Sequence, residues 1–256
     1  MQNDHLRRKL YFLIIYNLAA NSIVYFLKPL YLWSLVIVVV LPSLIASYWL
    51  KHNRKKIFYF SLLSTLLFAP PAELMARLAN AWDVQSIFPR VFGYIPLENI
   101  FFAFFNFHWV LTFYELFVVK TGVRKMSKRF FWLFLIYAML SIVVYSLYFI
   151  DPSYITTPYH ILAIPMLLIP FMAIMKLRPI SHDKLILPTI FFAYIFFTFE
   201  TVALQVGNWW WPSNYLLPIN LFGRVFPLDD VIIWYFLSTP TLILGYEYFS
   251  NDQEQA

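Results

Sequence analysis

The chain of 256 residues contains no cysteine and only five glycines, and both shortages exclude kinds of site. Without cysteine it can form no disulfide, thiol nucleophile, thioether-linked haem or cysteine-liganded zinc centre. Neither GxGxxG nor GxxxxGK(S/T) occurs, so no dinucleotide-binding or phosphate-binding loop is visible. Of the five histidines, His108 and His160 could face a helical bundle, but neither has a ligand-type residue three or four positions away. The sequence therefore predicts no cofactor and no metal ion.

Charged residues are also scarce, at 12% of the chain against 61% hydrophobic residues, and the mean hydropathy is +0.67. About a quarter of an ordinary soluble domain is charged, so this chain has too few charges to cover a soluble fold. The formal net charge of +6 does not indicate nucleic acid, because the basic residues lie in loops between long apolar runs. We predict an integral membrane protein surrounded by the lipid bilayer, with no nucleic-acid partner.

Eight apolar runs are long enough to cross a bilayer as helices, which takes about 20 residues each. Basic clusters precede the first run and follow the second, fourth and sixth, whereas the alternate loops carry few Lys or Arg. Since Lys and Arg mark cytoplasmic loops, the pattern predicts a multi-pass protein of the cytoplasmic membrane with both termini in the cytoplasm. The predicted spans are residues 10–27, 30–50, 57–79, 96–119, 130–150, 159–176, 184–206 and 227–249.

A motif recurs in the two halves of the chain, with identical spacing between its Glu, Ala and Trp. A Glu is followed by an Ala and a Trp, then by Phe-Gly, and then by Pro-Leu and an acid. Each half holds four predicted spans, an even number, so the halves would be parallel repeats about an axis along the membrane normal. The sequence thus predicts an all-α membrane fold of two four-helix repeats, 1–125 and 126–256, that form a single functional unit. The matching segments are Glu73-x2-Ala76-x5-Trp82 with Pro96-Leu97-Glu98-Asn99, and Glu200-x2-Ala203-x5-Trp209 with Pro227-Leu228-Asp229-Asp230.

The repeated acids are candidate proton donors, because a carboxyl group in hydrocarbon is costly. A charged one costs roughly 2.5–3.5 kcal/mol on insertion scales, so an acid kept there is a functional candidate by default. The topology places the first acid of each motif near the outer end of span three or seven, and the later acids in the first turn of span four or eight. We expect these acids to converge on one cavity: Glu73, Glu98, Glu200, Asp229 and Asp230.

Simpler roles are open for each acid. The three in first helical turns are favoured by the helix dipole and could simply cap their helices. The two deeper glutamates could form interhelical hydrogen bonds or pair with Arg77 or Arg224. The aromatic side chains nearby, including the tryptophans at 209–211, could form an interfacial belt or stabilise a carbocation through their ring faces.

These motifs resemble those of the membrane lycopene cyclase domain family, in which an acid and a Trp close one span and Pro-x-acid-acid opens a Phe-rich helix. The resemblance covers nearly the whole chain, including the duplication. It implies that an acid protonates the terminal double bond of a linear carotenoid, that the cation closes a six-membered ring, and that proton loss leaves a β-ionone-type end group. This redox-neutral reaction needs no cofactor. The implied acid/base pair is Glu98 and Asp229, supported by Glu73, Glu200 and Asp230, and the implied substrate-binding residues are Trp82, Asn99, Trp209 and Trp210.

Other interpretations stay open at this stage. Parallel repeats with carboxylates deep in the membrane also describe proton-coupled transporters, and a non-catalytic membrane scaffold is a third class. Asn99 stands where the family has a second acid, and Asp229 where it has Glu. For a cyclase, the sequence leaves open whether β or ε rings form, whether one or two ends are cyclised, and whether the chain associates as a homo-oligomer.

Overall fold

The structure is a computed structural model that describes residues 2–119, 125–158, 161, 163–212, 215–228 and 231–251. Helices make up 75% of it, which confirms the predicted all-α class. Two short antiparallel ribbons complete the secondary structure of the described residues. These ribbons lie between helices, and one of them joins the two halves of the chain.

Eight helical segments lie, within the described residues, where the eight apolar runs were predicted. Six of them, α1 to α5 and α7, are long and apolar enough to cross a membrane, while α6 is shorter. The segment α8 is a π-helical turn, Val231–Tyr235, continued by an α-helix, Phe236–Ser250. The segments are α1 (Gln2–Leu27), α2 (Tyr31–Trp49), α3 (Arg54–Leu78), α4 (Leu97–Val119), α5 (Phe130–Ile150), α6 (Ile164–Leu177), α7 (Asp183–Val206) and α8 (residues 231–250).

The outer surface of the bundle is apolar, most clearly along α5. This helix exposes Trp132, Ile142 and Phe149, and only 6% of its most apolar stretch is buried. A helix that is apolar on every side belongs in hydrocarbon or in a protein core, and α5 lies at the edge of the bundle. The exposed faces therefore suit contact with lipid, as in a multi-pass membrane protein.

The helix α4 lies at the centre of the bundle. It packs against α2, α3 and α8, and all residues from His108 to Phe117 are buried. The helix α8 also packs against α6 and α7, and α1 lies along α7. Because the second half of α4 is enclosed on several sides, its first turn is held in place. That turn carries Glu98 and Asn99 of the repeated motif.

The helices α2 and α6 share a local irregularity. In each, five residues of π-helix precede an α-helical stretch whose second residue is proline. The π-helical segments are Val36–Val40 before Pro42 and Ile164–Leu168 before Pro170. Proline has no N–H, and its ring clashes with the carbonyl four residues earlier. A wider π turn relieves that clash, so both helices adapt to proline in the same way.

The helices α3 and α7 also end alike. Asn80 (φ +52°) and Gly207 (φ +78°) take the left-handed conformation just after the helix. The N–H of the next residue, Ala81 or Asn208, donates to the carbonyl five residues earlier, at 2.8 and 2.9 Å. This is the Schellman closure, which satisfies the last carbonyls of a helix. It turns the chain sharply, so the tryptophan of each motif lies immediately beyond the helix end.

Each Phe-Gly pair of the repeated motif forms a tight turn. Phe222-Gly223, with φ of +51° and +80°, connects β3 (Pro218–Leu221) to β4 (Arg224–Pro227) in a hairpin. Phe92-Gly93, with φ of +54° and +77°, lies between two residues bridged to each other, Val91 and Ile95. Turns with positive φ at two successive residues match the twist of antiparallel strands, and glycine supplies that conformation without steric cost.

Candidate functional site

Two short strands join the halves of the chain at the candidate site. The strand β1 (Asp83–Val84) follows α3, and it pairs antiparallel with β2 (Trp209–Trp210), which follows α7. Asp83 stands opposite Trp210, and each of them is the residue after the repeated tryptophan of its own motif. Equivalent positions therefore pair with each other. The pairing brings Trp82 beside Trp209, with stacked rings whose centroids are 6.0 Å apart.

Four indole rings form what we call the tryptophan cluster: Trp82, Trp209, Trp211 and Trp234. Trp82 is central, because its ring centroid lies 6.1 Å from that of Trp211 and 6.4 Å from that of Trp234, both edge-on. The face of an indole ring is electron-rich and attracts a cation within about 6 Å. The tryptophan cluster can therefore stabilise a positive charge on a bound molecule.

Glu73, near the end of α3, lies beside the tryptophan cluster. It is 8% exposed, and its Oε2 accepts hydrogen bonds from Nε1 of Trp82 at 3.4 Å and from Nδ2 of Asn99 at 3.0 Å. The Oδ1 of Asn99 accepts in turn from the hydroxyl of Tyr31 at 3.0 Å. These bonds connect α2, α4 and the end of α3, so the carboxyl group is held in one place next to the indole rings.

Tyr31 interacts electrostatically with acids from both halves of the chain. The side chain is fully buried, and it is close enough to Glu73, Glu98 and Glu200 to interact electrostatically with all three. Its ring also lies edge-on to Trp209, with centroids 6.0 Å apart. The three described acids of the predicted site thus all interact electrostatically with one buried tyrosine. The other two predicted acids, Asp229 and Asp230, lie outside the described residues.

Glu98 is only 1% exposed, but its carboxylate is directed at a loop. The Oε1 accepts from the N–H groups of Ile87 and Phe88 at 2.7 and 3.1 Å, and the Oε2 accepts from the hydroxyl of Ser86 at 2.8 Å. Three donors from one loop segment hold this carboxylate. Glu98 therefore fixes the loop that connects β1 to α4, in addition to starting α4 with a favourable charge.

Glu200, near the end of α7, has fewer partners than Glu98. Its Oε1 is buried and has no hydrogen-bond partner in the part of the chain that the structure describes. The hydrogen-bonding side chain beside its carboxyl group is Trp211 of the tryptophan cluster. A buried acceptor without a partner costs roughly 1–3 kcal/mol. This cost indicates that the Glu200 carboxyl group is a place where a proton or a ligand group binds.

An ion-pair network at the end of α3 holds the backbone around Trp82. The Asp83 Oδ1 is 2.7 Å from Nη1 of Arg77 and 2.7 Å from Nη2 of Arg90. Arg77 also donates to the carbonyl of Trp82, and Arg90 to that of Val84 at 3.1 Å. Burial alone raises the pKa of Asp83, but the hydrogen bonds from the two guanidinium groups outweigh it, and the pKa lies below its usual range. The ion-pair partner of Arg77 is thus Asp83 rather than Glu73.

A cavity of about 330 Å³ opens beside the tryptophan cluster. It lies between the tryptophans that follow α7 and the strand β4. Ligand pockets usually have volumes of roughly 300–1,000 Å³, so this cavity can hold one end of a large ligand. Trp210, which is 42% exposed, contributes to its wall. The lining residues are Leu204, Gly207, Trp209, Trp210, Trp211, Arg224 and Val225.

Two residues of the site were not predicted from the sequence. Tyr31 is the first residue of α2, outside both copies of the motif, and no spacing rule connects it with Asn99 or Glu73. Trp234 lies in the π-helical turn of α8, and its approach to Trp82 depends on how α8 packs. The signal that was available for Trp234 is weak, since it is one of nine tryptophans in an aromatic chain.

A second polar cluster lies at the opposite end of α4. Glu115 is 3% exposed, and its carboxylate accepts from the hydroxyl of Tyr246 at 2.7 Å and from Nδ2 of Asn53 at 3.3 Å. Lys56, buried beside it, donates to Asn251 and stands over the ring of Tyr246 at 5.2 Å. We call this group the Glu115 cluster, and it joins the loop ends of α3, α4 and α8.

Fold and site together define a multi-pass helical protein with a buried carboxyl group beside a tryptophan cluster. Comparisons with family profiles, with curated proteins and with solved structures found no match. The resemblance to the membrane lycopene cyclase domain family therefore rests on the sequence motifs, and it stays a prediction.

Proposed function

We propose that the chain is a carotenoid cyclase that converts the linear end group of lycopene or a related polyene into a six-membered ring. The observation that carries the proposal is the contact between Glu73 and Trp82. A buried carboxyl group, able to give a proton, accepts from the indole N–H of Trp82, and Trp82 belongs to a cluster of rings whose faces can stabilise the resulting cation. The substrate is a fully apolar polyene that dissolves in the bilayer, so a site enclosed by membrane helices suits it.

The reaction needs one proton given and another taken. Glu73 gives its proton to the terminal double bond, and the tertiary cation that forms is held near the tryptophan cluster. The neighbouring double bond attacks this cation and closes the ring, which moves the positive charge onto a ring carbon. A carboxylate then removes a proton from the adjacent ring carbon, leaving the double bond of the new end group. Atoms and electrons balance without an oxidant or a reductant.

The hydrogen-bond partners of the acids support a division of roles. Glu200 is the acceptor of the second proton, because its buried Oε1 lacks a partner among the described residues and its carboxyl group lies near Trp211 of the tryptophan cluster. Asn99 and Tyr31 orient the Glu73 carboxyl group through their chain of hydrogen bonds. Glu98, which the family resemblance makes a principal donor, is engaged with three donors of its loop. The catalytic role of Asp229 and Asp230 remains a prediction from the motif.

We further propose that the chain crosses the cytoplasmic membrane eight times as two parallel repeats, with both termini in the cytoplasm. Three paired features support the duplication: the π turns before Pro42 and Pro170, the Schellman ends of α3 and α7, and the antiparallel pairing of β1 with β2. The loop charges support the orientation. In this arrangement the tryptophan cluster faces the outer leaflet, and the Glu115 cluster faces the cytoplasm.

A test of the proposal is expression in a bacterium that accumulates lycopene, followed by chromatography of the pigments. The natural chain is expected to convert lycopene into cyclic carotenoids. Glu73→Gln and Glu200→Gln keep the side-chain volume but remove the titratable group, and general acid–base groups contribute about 10²–10⁴-fold in rate. Both variants should therefore accumulate unreacted lycopene at equal protein level.

The matched control is Asp151→Asn, which removes an exposed carboxyl group that accepts only from its own turn. This variant should convert lycopene like the natural chain. Normal ring formation by Glu73→Gln would remove Glu73 from the mechanism, and absence of any cyclic pigment from the natural chain would overturn the cyclase proposal.

A proton-coupled transporter is the second candidate, favoured by the buried carboxyl groups at both ends of α4, Glu98 and Glu115. The two candidates differ in what they require. A cyclase acts on lycopene in detergent solution as well as in vesicles, whereas transport requires a sealed membrane. Ring formation by the purified protein in detergent decides between them.

A further inference from the structure

A groove of about 230 Å³ lies on the outer surface of the bundle, between α3 and the segment that leads into α5. No charged side chain lines it, and two of the lining side chains are largely exposed, Tyr59 at 54% and Leu66 at 56%. The groove is smaller than most ligand pockets, which have volumes of roughly 300–1,000 Å³, so it fits one part of a long molecule. The lining residues are Tyr59, Leu62, Leu63, Leu66, Met126 and Phe130.

One wall of this α3–α5 groove is a stripe of α3 that begins with a lysine. Lys55, Tyr59, Leu62 and Leu66 follow one another at intervals of four, three and four residues. Side chains at such intervals lie on the same face of an α-helix. Lys55 is exposed and lies one turn before Tyr59, in the first turn of α3. The stripe therefore joins the apolar groove to a positive charge at one end.

The other wall carries lysines at the same end. Lys128 lies in the turn between two lining residues, Met126 and Phe130, and Lys125 precedes the first of them. The ring of Phe130 lies 5.9 Å from that of Phe60, in the second turn of α3, so this turn is level with the beginning of α3. Both lysines are exposed. Positive charges thus stand on both sides of one end of the groove.

The basic residues around this end fall into two groups. Some use their charge within the protein: Lys56 donates to an asparagine at the end of α8, and Arg129 stands over the ring of Tyr248 at 5.1 Å. The ammonium groups of Lys55 and Lys128, by contrast, have no ion-pair or hydrogen-bond partner in the part of the chain that the structure describes. These two charges are therefore available to a molecule that binds in the groove.

We propose that the α3–α5 groove binds an anionic phospholipid, with one acyl chain against the lining residues and the phosphate group at Lys55 and Lys128. The groove faces hydrocarbon, because both of its helices are long and apolar enough to cross the membrane. The loop charges assign its basic end to the cytoplasmic leaflet, whose surface is negatively charged. Basic pockets between membrane helices on that side bind anionic headgroups. Charge complementarity thus favours an anionic lipid over a zwitterionic lipid or an uncharged polyene.

The bound lipid supports the helix that is least enclosed by protein. Only 6% of the most apolar stretch of α5 is buried, the lowest share among the six long helices. Its largest helix contact is with α3, across the groove. An acyl chain in the groove contacts both walls, and a ligand that binds only the folded protein raises its stability. The phospholipid therefore acts as a structural ligand, and this role does not depend on the proposed cyclase activity.

A comparison of two phospholipids tests the proposal on the natural chain. The purified protein in detergent is titrated with dioleoylphosphatidylglycerol or with dioleoylphosphatidylcholine, which has the same chains but no net charge, and bound lipid is counted by native mass spectrometry. The anionic lipid should bind at least about tenfold more tightly, and it alone should raise the thermal unfolding temperature. Equal binding of the two lipids would overturn the proposal without any need for a variant.

Removal of the two charges tests the position of the headgroup. The double variant Lys55→Gln, Lys128→Gln should bind phosphatidylglycerol about 30-fold more weakly, because each lysine near the membrane surface contributes separately to the attraction. The matched control is Lys176→Gln with Lys184→Gln, which removes two exposed lysines between α6 and α7. This control should bind like the natural chain. An equal loss in both double variants would contradict a headgroup site at this groove.

Bulk in the groove tests the position of the acyl chain. Leu66→Trp places a large side chain in the groove and should weaken the binding of phosphatidylglycerol. Leu140→Trp places the same side chain on α5 at a position that is equally exposed, 55%, and that does not line the groove, and it should have no effect. Equal binding by both variants would show that no acyl chain occupies the groove.

Competition distinguishes the lipid from other occupants. Glycerophosphoglycerol, which is the headgroup without its chains, should not displace phosphatidylglycerol, and neither should lycopene. Displacement by the free headgroup would identify a simple anion site, and displacement by lycopene would identify a site for a polyene. Either result would overturn the assignment of the groove to a phospholipid.

Discussion

Glu98 and Asn99 are adjacent in the chain, yet their side chains serve different parts of the site. Asn99 donates to the carboxylate of Glu73, whereas Glu98 accepts from the loop residues Ser86, Ile87 and Phe88. In the first turn of a helix, neighbouring side chains point in directions about 100° apart, so adjacency in sequence does not imply a shared role. Glu73, by contrast, accepts a hydrogen bond from the indole N–H of Trp82.

Replacing Glu98 distinguishes a structural from a catalytic role. Glu98→Gln removes the charge that strengthens three hydrogen bonds, and hydrogen bonds to charged groups are worth about 1.5–3 kcal/mol each. We expect a lower thermal unfolding temperature in detergent, but ring formation per folded molecule close to that of the natural chain. An unchanged unfolding temperature combined with abolished ring formation would instead identify Glu98 as the proton donor.

At the residue scale, the sequence was sufficient to predict which acids belong to the candidate site. It was not sufficient to predict which partners each of these acids binds. Glu73, Glu98 and Glu200 could be found because acids are rare in apolar spans and recur with the motif. The part played by Tyr31, which interacts with all three, could not be predicted, since its position depends on the packing of α2 against α4. Side-chain direction at the start of a helix is set by the loop that precedes it, and short motifs contain no information about that loop.

At the scale of single elements, the ends of α3 and α7 show how one backbone geometry is met by two different residues. The left-handed position is Asn80 in one helix end and Gly207 in the other. Asn and Gly are the residues that reach this conformation at least cost, Gly because it has no Cβ and Asn because its short polar side chain bonds locally. The equivalence was not visible in the sequence motif, because the two residues differ.

At the scale of elements, substitutions of Gly207 test the left-handed end of α7. A Cβ added there would meet nothing within 4 Å, so the cost of Gly207→Ala comes from the φ of +78° alone. For residues other than glycine this conformation costs roughly 1–2 kcal/mol. Gly207→Ala should lower the thermal unfolding temperature in detergent, and Gly207→Asn should lower it less, as Asn is accepted at position 80. If both variants unfold at the same temperature as the natural chain, the helix end does not depend on the left-handed residue.

The helices themselves were predicted well because apolar runs of about 20 residues are a strong signal. All eight runs are helical within the described residues, and six of these helices meet the length and hydropathy needed to cross a membrane. The π turns before Pro42 and Pro170 were not predicted, because hydropathy does not report which carbonyls a proline leaves without a partner. The β1–β2 pairing was not predicted either, because strands of two residues are too short to show the alternating pattern of a β-strand.

At the scale of the whole molecule, the two halves contribute complementary parts of one site. The first half provides Glu73, Asn99 and Tyr31, and the second provides Trp209 and Glu200, with the β1–β2 ribbon between them. The first half alone would hold one ring of the tryptophan cluster, Trp82, and the second half alone would hold the other three. In the proposed cyclase, a cation formed between the halves would have indole rings from both halves and a carboxyl group from each half beside it.

The most direct test of the proposed mechanism is to form the ring in heavy water. Membrane vesicles with the protein are given lycopene in D₂O, and the products are analysed by mass spectrometry. If a carboxyl group of the protein starts the reaction, the added hydrogen comes from exchangeable protons, and a different, carbon-bound hydrogen is lost. Each ring formed should therefore carry one deuterium, and Glu73→Gln should form almost no labelled ring. Cyclic products without deuterium, or no cyclic product from the natural chain, would contradict proton-triggered cyclisation at Glu73.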